Sequence, residues 1–403
     1  MNPTYATPGA DRARACLCGL AAIAMLWAVS FGAAVAAAAQ EPRHWDREVA
    51  GTLLAYIEHI DRHGLDPADY DPASLERAIG SDDSQALERQ ATRTFGEVAM
   101  DLAIGHVRPG RRGRYYIQPN TLAPSDVALL IDRAIEARSV THVLEALAPQ
   151  NREYDALRAA LAGLEPGASE QRRKLEASLE RWRWLPRALG ERHVFINIPE
   201  YRLRLMDRGG EASSHSVIVG KTSTPTPQFS ASVTAVILNP SWHVPQSIVA
   251  ESVGRLVRNS PATARARGYT WSYAGGGLRV TQQPGPQNAL GQMKLEMANP
   301  LTVYVHDTPS KDLFEREERT FSHGCIRTQN PLDLAAALLA DAGWGRTEID
   351  QAVAGRRTQR VALAAAVPIY VVYMTAIARP DGSVSYLDDP YRLDAAIAGE
   401  LGG

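Results

Sequence analysis

The feature that most constrains the fold of this 403-residue chain is a single change in the spacing of its apolar residues, close to Leu185 and Pro186. Before this point apolar residues recur at the spacing of an amphipathic helix, whereas after it they alternate or run continuously over strand lengths. The helical spacing is seen at Leu53, Leu54, Ile57 and Ile60, at Phe95, Val98, Leu102 and Val107, and at Leu157, Leu161 and Leu164. We therefore predict an α+β chain with an all-helical domain over residues 44–183 and a β-rich domain over residues 190–390.

The second half of the chain carries the strand-like segments. They lie at 193–198, 201–205, 216–219, 233–238, 278–281 and 301–305. The pair Gly209 and Gly210 predicts a hairpin turn between two of them. A helix is predicted at 331–341, where Pro331 suits the first turn. Residues 367–377 and 383–387 flank a turn sequence and predict a terminal hairpin.

The N-terminal residues 1–43 have the pattern of an export signal. Arg12 and Arg14 precede an apolar, alanine-rich run at 15–38, and Ala37 and Ala39 offer a small-x-small cleavage site. We predict a signal peptide at residues 1–39; the alternative is a retained membrane anchor, in which case the protein would contact the membrane through this segment alone. The expected compartment is the periplasm.

Composition excludes some classes of function and not others. The chain is 45% hydrophobic and 22% charged, with a net charge of −2, as is ordinary for a globular protein. It has no basic stripe with interleaved aromatic residues and no glycine-rich nucleotide loop, so we expect no nucleic-acid partner. We also expect no cofactor and no metal.

Cleavage of the signal would leave Cys325 as the one cysteine of the mature chain, in a compartment that oxidises paired thiols. The sequence leaves three explanations open, namely a buried inert thiol, a metal ligand or a nucleophile. His323 lies two positions before Cys325, and His306 ends the segment 301–305 upstream. Either histidine could serve as the base that a nucleophilic thiol needs, with Asp307 or a carbonyl orienting the ring.

The neighbours of Cys325 suit acyl transfer. Gly324 would let the backbone approach a substrate, and N–H groups near Cys325 could form an oxyanion hole. Arg327 could bind a substrate carboxylate bidentately or form an ordinary salt bridge. An enzyme of this kind is expected to depress the pKa of the Cys325 thiol.

These residues resemble the signature of the YkuD-type L,D-transpeptidase family. The resemblance lies in His306-Asp307-Thr308-Pro309 followed by residues 322–327, SHGCIR, and it extends to the large periplasmic branch of the family. The further matching stretches are ERWRWLP at 180–186, NIPEY at 197–201, VGK at 219–221, TP at 226–227, NPSWHVP at 239–245 and PGPQNALG at 284–291. The helical region is similar, more loosely, to the scaffold domain of that branch.

The resemblance implies an enzyme that remodels peptidoglycan stem peptides. Members attack the bond between the third residue of a tetrapeptide stem and its terminal D-alanine, form a thioester on the cysteine and pass the acyl group to an amine. By this resemblance Cys325 is the nucleophile and His306 the proton donor and acceptor, oriented by the Asp307 carbonyl, while His323 and Gly324 shape the oxyanion hole. The family cysteine is also acylated by carbapenems.

The resemblance further implies a substrate groove and a lid. The expected substrate-binding residues are Arg327, Tyr304, Ser322 and Trp242. The family's lid corresponds, in a short form, to residues 251–283. The helical peptidoglycan-binding insert of the long members is missing between Leu164 and Arg181. Substrate docking is then expected to rely on the catalytic domain or on a partner, for which other cell-wall enzymes are candidates.

Two other functions stay open at this point. A related thiol hydrolase would use the same Cys325 but pass the acyl group to water, as an L,D-carboxypeptidase does. A protein without catalysis would use the domain to bind cell wall, or would hold zinc with His306, His323 and Cys325, although a structural zinc site wants a fourth ligand.

Overall fold

The computed structural model describes residues 44–118 and 120–402, which form one compact unit. The predicted signal segment lies outside the described residues. The helices are α1 (Arg47–Glu58), α2 (Pro72–Gly80), α3 (Ser84–Ile104), α4 (Pro124–Glu136), α5 (Val140–Glu145), α6 (Arg152–Ala162), α7 (Ser169–Trp184), α8 (Gln246–Ile248), α9 (Gly254–Asn259), α10 (Pro261–Ala266), α11 (Pro331–Leu339), α12 (Arg346–Ala354) and α13 (Asp394–Leu401). A single π-helical turn, Val249–Val253, joins α8 to α9.

The strands begin with a short one among the helices and then fill most of the second half. They are β1 (Tyr115–Tyr116), β2 (Arg192–Asn197), β3 (Arg202–Asp207), β4 (Gly210–Gly220), β5 (Gln228–Leu238), β6 (Trp242–His243), β7 (Tyr269–Ala274), β8 (Gly277–Gln282), β9 (Met293–Met297), β10 (Val305–His306), β11 (Thr320–Ser322), β12 (Ile326–Thr328), β13 (Gln359–Val372), β14 (Ala376–Ala378) and β15 (Val384–Tyr386). The α+β fold class, with helices first and strands after, is thereby confirmed.

The helix boundaries follow local signals in the sequence. Asp46 caps α1 by accepting a hydrogen bond from the N–H of Val49 at 2.8 Å, and Asp83 caps α3 in the same way. Helix α7 ends at Trp184, because Leu185 precedes a proline and takes an extended conformation. The predicted helix at 331–341 is α11 plus a following 3₁₀ turn, Ala340–Ala342.

The main sheet runs β1-β5-β13-β2-β3-β4-β12-β10-β9, and β11 pairs with β4. Because β9 also pairs with β5, the sheet closes on itself. Its interior is one apolar core that includes Val194, Val217, Leu295 and Ile326. Strand residues alternate between this interior and the outer face, since successive side chains point to opposite sides.

Part of the outer face is covered by the helical region. Phe195 on β2 and Tyr370 and Val372 on β13 pack into the same core cluster as the helices. Most of β2 and the C-terminal end of β13 are therefore buried on both faces. Because helices and strands share this core, the predicted boundary between residues 44–183 and 190–390 stays a prediction.

Two predicted elements differ from the structure. The segment 301–305 is mostly irregular, and only its last residue joins β10. The predicted terminal hairpin does form, as β14 with β15 around the expected turn. Its first arm begins at Ala376 and not at residue 367, because residues 367–372 end the long strand β13, which pairs with β5 and β2.

An insertion stands apart from the main sheet. Strands β6, β8 and β7 form a separate three-stranded sheet, and α8 to α10 pack on it around Val249, Val257 and Val280. The structure begins this unit at Trp242, earlier than the lid expected at 251–283. We call residues 242–283 the lid insertion.

Candidate active site

Strand pairing gathers the candidate residues on the outer face of the closed sheet. His306 on β10 is in register with Arg327 on the parallel strand β12 and with Lys294 on the antiparallel strand β9. Residues directly opposite each other on neighbouring strands share a face, so these three side chains lie on one side. Their neighbours Val305, Ile326 and Leu295 point the other way, into the core. Cys325 directly precedes β12, beside this row.

The loop before Cys325 is held by its own side chains. Ser322 Oγ donates to the carbonyl of Cys325 at 2.5 Å and accepts from the N–H of Gly324 at 3.0 Å. Gly324 has φ +110°, a conformation that disfavours any side chain. Thr226 Oγ1 donates to the Gly324 carbonyl at 2.9 Å and accepts from the N–H of Gly220, which ties the loop to β4.

These contacts decide which N–H groups stay available. The N–H of Gly324 is used by Ser322, whereas the N–H groups of His323 and Cys325 have no acceptor within the described part of the chain. An oxyanion hole at this loop would therefore use His323 and Cys325 for its donors. Ser322 itself is buried and its hydroxyl bonds within its own loop, so its expected contact with substrate stays a prediction.

The ring of His306 is buried and fixed in orientation. Its Nδ1 bonds to the backbone carbonyl of Asp307, so Nδ1 carries the hydrogen and Nε2 is left as the acceptor. Burial, with the positive charge of Arg327, lowers the pKa of His306 to about 3. The resting imidazole is therefore neutral at neutral pH and can take up a proton at Nε2.

The carboxylate of Asp307 braces the segment behind His306. It accepts from the N–H of Gln292 at 2.8 Å and from Lys311 Nζ. A Cβ at Gly291 would meet an Asp307 oxygen at 2.2 Å, so only glycine fits there. Asp307 thus acts on the His306 ring through its carbonyl, and its side chain is occupied elsewhere.

Cys325 is half-buried and is not in a disulfide. Burial raises the pKa of its thiol above the ordinary value, against a hydrogen bond from the Tyr304 backbone and the charges of Arg327 and Lys294. The expectation of a depressed thiol pKa is wrong for the resting protein, because desolvation outweighs the nearby cations. Within the described residues no hydrogen bond joins the Cys325 thiol to His306, so proton transfer awaits the approach of a substrate.

Arg327 has no counter-ion. No carboxylate of the described residues forms an ion pair with its guanidinium, and burial lowers its pKa. The ordinary salt bridge that the sequence left open for Arg327 is therefore not present in this part of the chain. A guanidinium that is partly desolvated and unpaired is available to an anionic ligand.

The side chain of His323 contacts the lid insertion. Its Nε2 lies 3.0 Å from a carboxylate oxygen of Glu251, and Lys221 Nζ lies 3.9 Å from the other. Glu251 sits in the π-helical turn of the lid. The lid insertion therefore contacts the Cys325 loop by a charged hydrogen bond.

The two expected aromatic groove residues have different surroundings. Tyr304 is half-buried on the outer face, with Lys294 Nζ 4.5 Å from its ring centroid. Trp242 lies at the start of the lid and packs against the lid's own core. Tyr304 is thus part of the row beside Cys325, and Trp242 is not.

Two residues of this site were missed from the sequence, Lys294 and Glu251. A signal for Lys294 exists, since Met293, Leu295 and Met297 alternate with polar residues at strand spacing. No sequence pattern points to Glu251. As for a metal, no group of three or more histidine, cysteine, aspartate or glutamate side chains is placed to hold one in the described residues.

Comparison with known families identifies both parts of this fold. Residues 191–353 match the family model of the L,D-transpeptidase catalytic domain, YkuD, and residues 37–161 match that of the Scaffold domain. The chain therefore carries a Scaffold domain followed by a YkuD L,D-transpeptidase catalytic domain, which confirms the resemblance.

Among individual proteins, the chain is 28% identical over 283 residues to a protein of Haemophilus influenzae named "Putative L,D-transpeptidase". This match spans 66% of the chain and 57% of that relative, so the chain covers little more than half of its length. In solved structures it is similar to the L,D-transpeptidase from Mycobacterium smegmatis, at 16% identity, 45% and 58% coverage and a TM-score of 0.26. It is also similar to LdtMt1 in complex with imipenem, at 18% identity, 45% and 59% coverage and a TM-score of 0.24.

Within residues 44–118 and 120–402, no helix has the length and apolar character needed to span a bilayer.

Proposed function

We propose that this chain is a peptidoglycan L,D-transpeptidase that works through a thioester on Cys325. The acyl donor is a tetrapeptide stem, and the acceptor is an amine of a neighbouring stem or of another wall component. The observation that carries this proposal is the fixed His306 ring on the strand beside the Cys325 loop. Its Nδ1 is bound to the Asp307 carbonyl, and its Nε2 has no hydrogen-bond partner among the described residues.

In the first half-reaction the Cys325 sulfur adds to the carbonyl carbon of the third stem residue, and His306 Nε2 takes the thiol proton. The resulting oxyanion accepts hydrogen bonds from the N–H groups of His323 and Cys325. The tetrahedral intermediate then expels D-alanine, whose amine receives the proton from His306. The product is a thioester of the tripeptide on Cys325.

In the second half-reaction the acceptor amine adds to the thioester carbonyl and gives a proton to His306. The carbon–sulfur bond breaks, and the proton passes to the sulfur, so the thiol and the neutral imidazole are restored. Because burial raises the thiol pKa and lowers the imidazole pKa, both groups are uncharged in the resting protein, and the thiol proton moves to His306 only as the carbon–sulfur bond forms.

The lid insertion contacts the Cys325 loop through Glu251 and His323. A lid that limits the access of water to the thioester would favour an amine as acceptor. We infer that the protein acts in the periplasm on cell-wall stems, with other cell-wall enzymes as candidate partners for docking.

The test is a reaction of the purified protein with a tetrapeptide stem and an isotope-labelled amine. We expect a labelled amide product and released D-alanine in equal amounts, and neither with Cys325→Ala. Release of D-alanine without amide would instead mean hydrolysis. No release by a correctly folded wild type would overturn the proposal.

A further inference from the structure

Lys294 stands beside His306 with its charge unmatched. It lies on the outer face of β9, opposite His306, while Met293 and Leu295 on the same strand point into the core. The side chain is half-buried, and burial lowers the pKa of its ammonium group. Removing an ammonium group from water without a partner costs free energy, so a contribution to stability does not explain why Lys294 is found here.

The other lysines of the chain all have carboxylate partners. Lys174 pairs with Glu170 at 2.9 Å, Lys221 lies 3.9 Å from Glu251, and Lys311 pairs with Asp307. No carboxylate of the described residues forms such a pair with Lys294.

The nearest candidate partner, Glu296, is already occupied. It lies two residues along β9 on the same face, but both of its carboxylate oxygens accept from Arg360 Nε at 3.0 Å, and one also accepts from Thr234 Oγ1 at 3.2 Å. Arg360 lowers the pKa of Glu296, so the pair is fully ionised at neutral pH. The charge of Glu296 is thus neutralised by Arg360, and the positive charge of Lys294 stays available to a ligand.

Lys294 faces an open cavity of about 440 Å³. Its walls include Ser232, Thr234, Met297 and Tyr304, which offer hydroxyl groups and apolar surface. The ammonium group lies 4.5 Å from the centroid of the Tyr304 ring, so a cation–π contact holds it at the cavity wall. The cavity therefore shares Lys294 and Tyr304 with the row of residues beside Cys325. Its wall carries one cation, Lys294, and one carboxylate, Glu296, which is paired with Arg360.

We propose that Lys294 binds the terminal carboxylate of the donor stem, an inference that rests on the proposed function. In a tetrapeptide donor this carboxylate belongs to the leaving D-alanine and lies about 4 Å from the scissile carbonyl, within one residue of chain. Lys294 lies directly opposite His306 on the neighbouring strand, and this spacing between strands is similar to the distance from the scissile carbonyl to the carboxylate. Arg327, on the opposite side of His306, remains available for a second carboxylate of the stem.

This contact would also measure the length of the donor. A stem with one more residue places an amide where the carboxylate should lie, and an amide gives the ammonium group no charge to bind. Lys294 would thus select the tetrapeptide over longer stems by a charge-assisted hydrogen bond.

The test compares two donors, a tetrapeptide stem with a free C-terminal carboxylate and the same peptide ending in an amide. For Lys294→Met we expect kcat/KM to fall about 10- to 100-fold on the free acid, which is the value of a hydrogen bond to a charged group. On the amide donor, wild type and Lys294→Met should agree within about threefold, because neither can form the contact. Lys294→Arg keeps the charge and should restore much of the rate on the free acid.

Lys174→Met is the matched control, since it removes a lysine charge from helix α7, and it should behave as wild type on both donors. Lys294→Met should melt at the wild-type temperature or above it, because it removes an unpaired, half-buried charge. An equal loss of kcat/KM on both donors would mean that Lys294 activates the thiol or supports the fold, and would overturn the inference. Wild type inactive on the free acid would overturn the proposed function, and with it this inference.

Discussion

The helical region and the outer face of the closed sheet both bury ionisable side chains, but they treat them in opposite ways. On α7, Glu180 and Arg183 are fully buried and form an ion pair at 2.6 Å. On the outer face, His306, Arg327 and Lys294 lie side by side with no counter-ion among the described residues. The paired arrangement stabilises the fold. The unpaired arrangement leaves the charges of Arg327 and Lys294, and the proton-accepting nitrogen of His306, available to a ligand.

The Glu180 site shows how completely a buried charge can be matched. Its carboxylate accepts from the N–H of Val107 at 2.7 Å, from Trp184 Nε1 at 2.7 Å and from Arg183. Arg183 in turn donates to the carbonyl of His63. Since these partners come from distant parts of the helical region, the pair joins α7 to the chain around it. The comparison predicts that changes there affect stability, and that changes on the outer face affect the reaction.

The largest effect is expected at His306. In His306→Asn no group remains to accept the thiol proton, so turnover of the tetrapeptide donor should fall about 10²- to 10⁴-fold, the usual value of a general base. Steady-state assays with released D-alanine would measure it. A fall of less than about threefold would mean that His306 does not take part in the reaction. It would contradict the part of the comparison that concerns the outer face of the sheet.

The next effect is expected at Glu180. Glu180→Gln leaves Arg183 as an uncompensated buried charge, which should lower the free energy of unfolding by about 3–5 kcal/mol. Urea denaturation would measure the change, and kcat of the folded fraction should stay near the wild-type value. Glu170→Gln, an exposed acid on the same helix, is the control and should change little. Unchanged stability in Glu180→Gln would contradict the account of this pair.

A smaller effect concerns stability in acid. His306 has a pKa of about 3 when folded against about 6.5 when unfolded, so between these values the unfolded chain binds a proton that the folded chain does not. Stability from this group is therefore present above pH 6.5 and is lost as the pH falls toward 3, by up to about 1.4 kcal/mol per pH unit.

The check is the difference between wild type and His306→Asn. Urea unfolding at pH 7, 5 and 4 should show wild type losing more stability than the variant over this range. His63, whose pKa is lowered to about 4, titrates in both proteins and cancels in the difference. Parallel losses would mean that His306 is not buried as a neutral ring.

The smallest effect is expected at Glu251. Glu251→Gln keeps the size of the side chain but removes the charge that meets His323 and Lys221, so the lid should close less often. We expect KM for the donor to rise by less than about fivefold, as for an exposed ion pair, and the rise to vanish at high salt. A tenfold loss of kcat that persists in high salt would instead place Glu251 in the chemistry.

The sequence predicts the kinds of element well, because apolar spacing reports which face of a helix or strand is buried. It also predicts that His306 and Cys325 belong to one site, since they stand in a recognisable motif, and the structure places His306 on β10 and Cys325 directly before the paired strand β12. It does not predict the pairing of β9 with both β5 and β10, which closes the sheet and depends on contacts between distant segments. The position of Lys294 opposite His306 follows from that pairing.

One smaller misreading concerns the thiol of Cys325. Its pKa is raised because burial is a property of the folded surroundings, which a list of neighbouring charges in the sequence leaves out. The hydroxyl of Ser322 bonds to two backbone groups of its own loop, and its expected contact with substrate stays a prediction.

The central claim is that Cys325 is an acyl-accepting nucleophile, and intact-mass spectrometry of the purified protein with imipenem tests it most directly. The account predicts one added drug mass on wild type, mapped to the peptide that contains Cys325, and none on Cys325→Ala. A folded wild type without an adduct, or an equal adduct on Cys325→Ala, would contradict it.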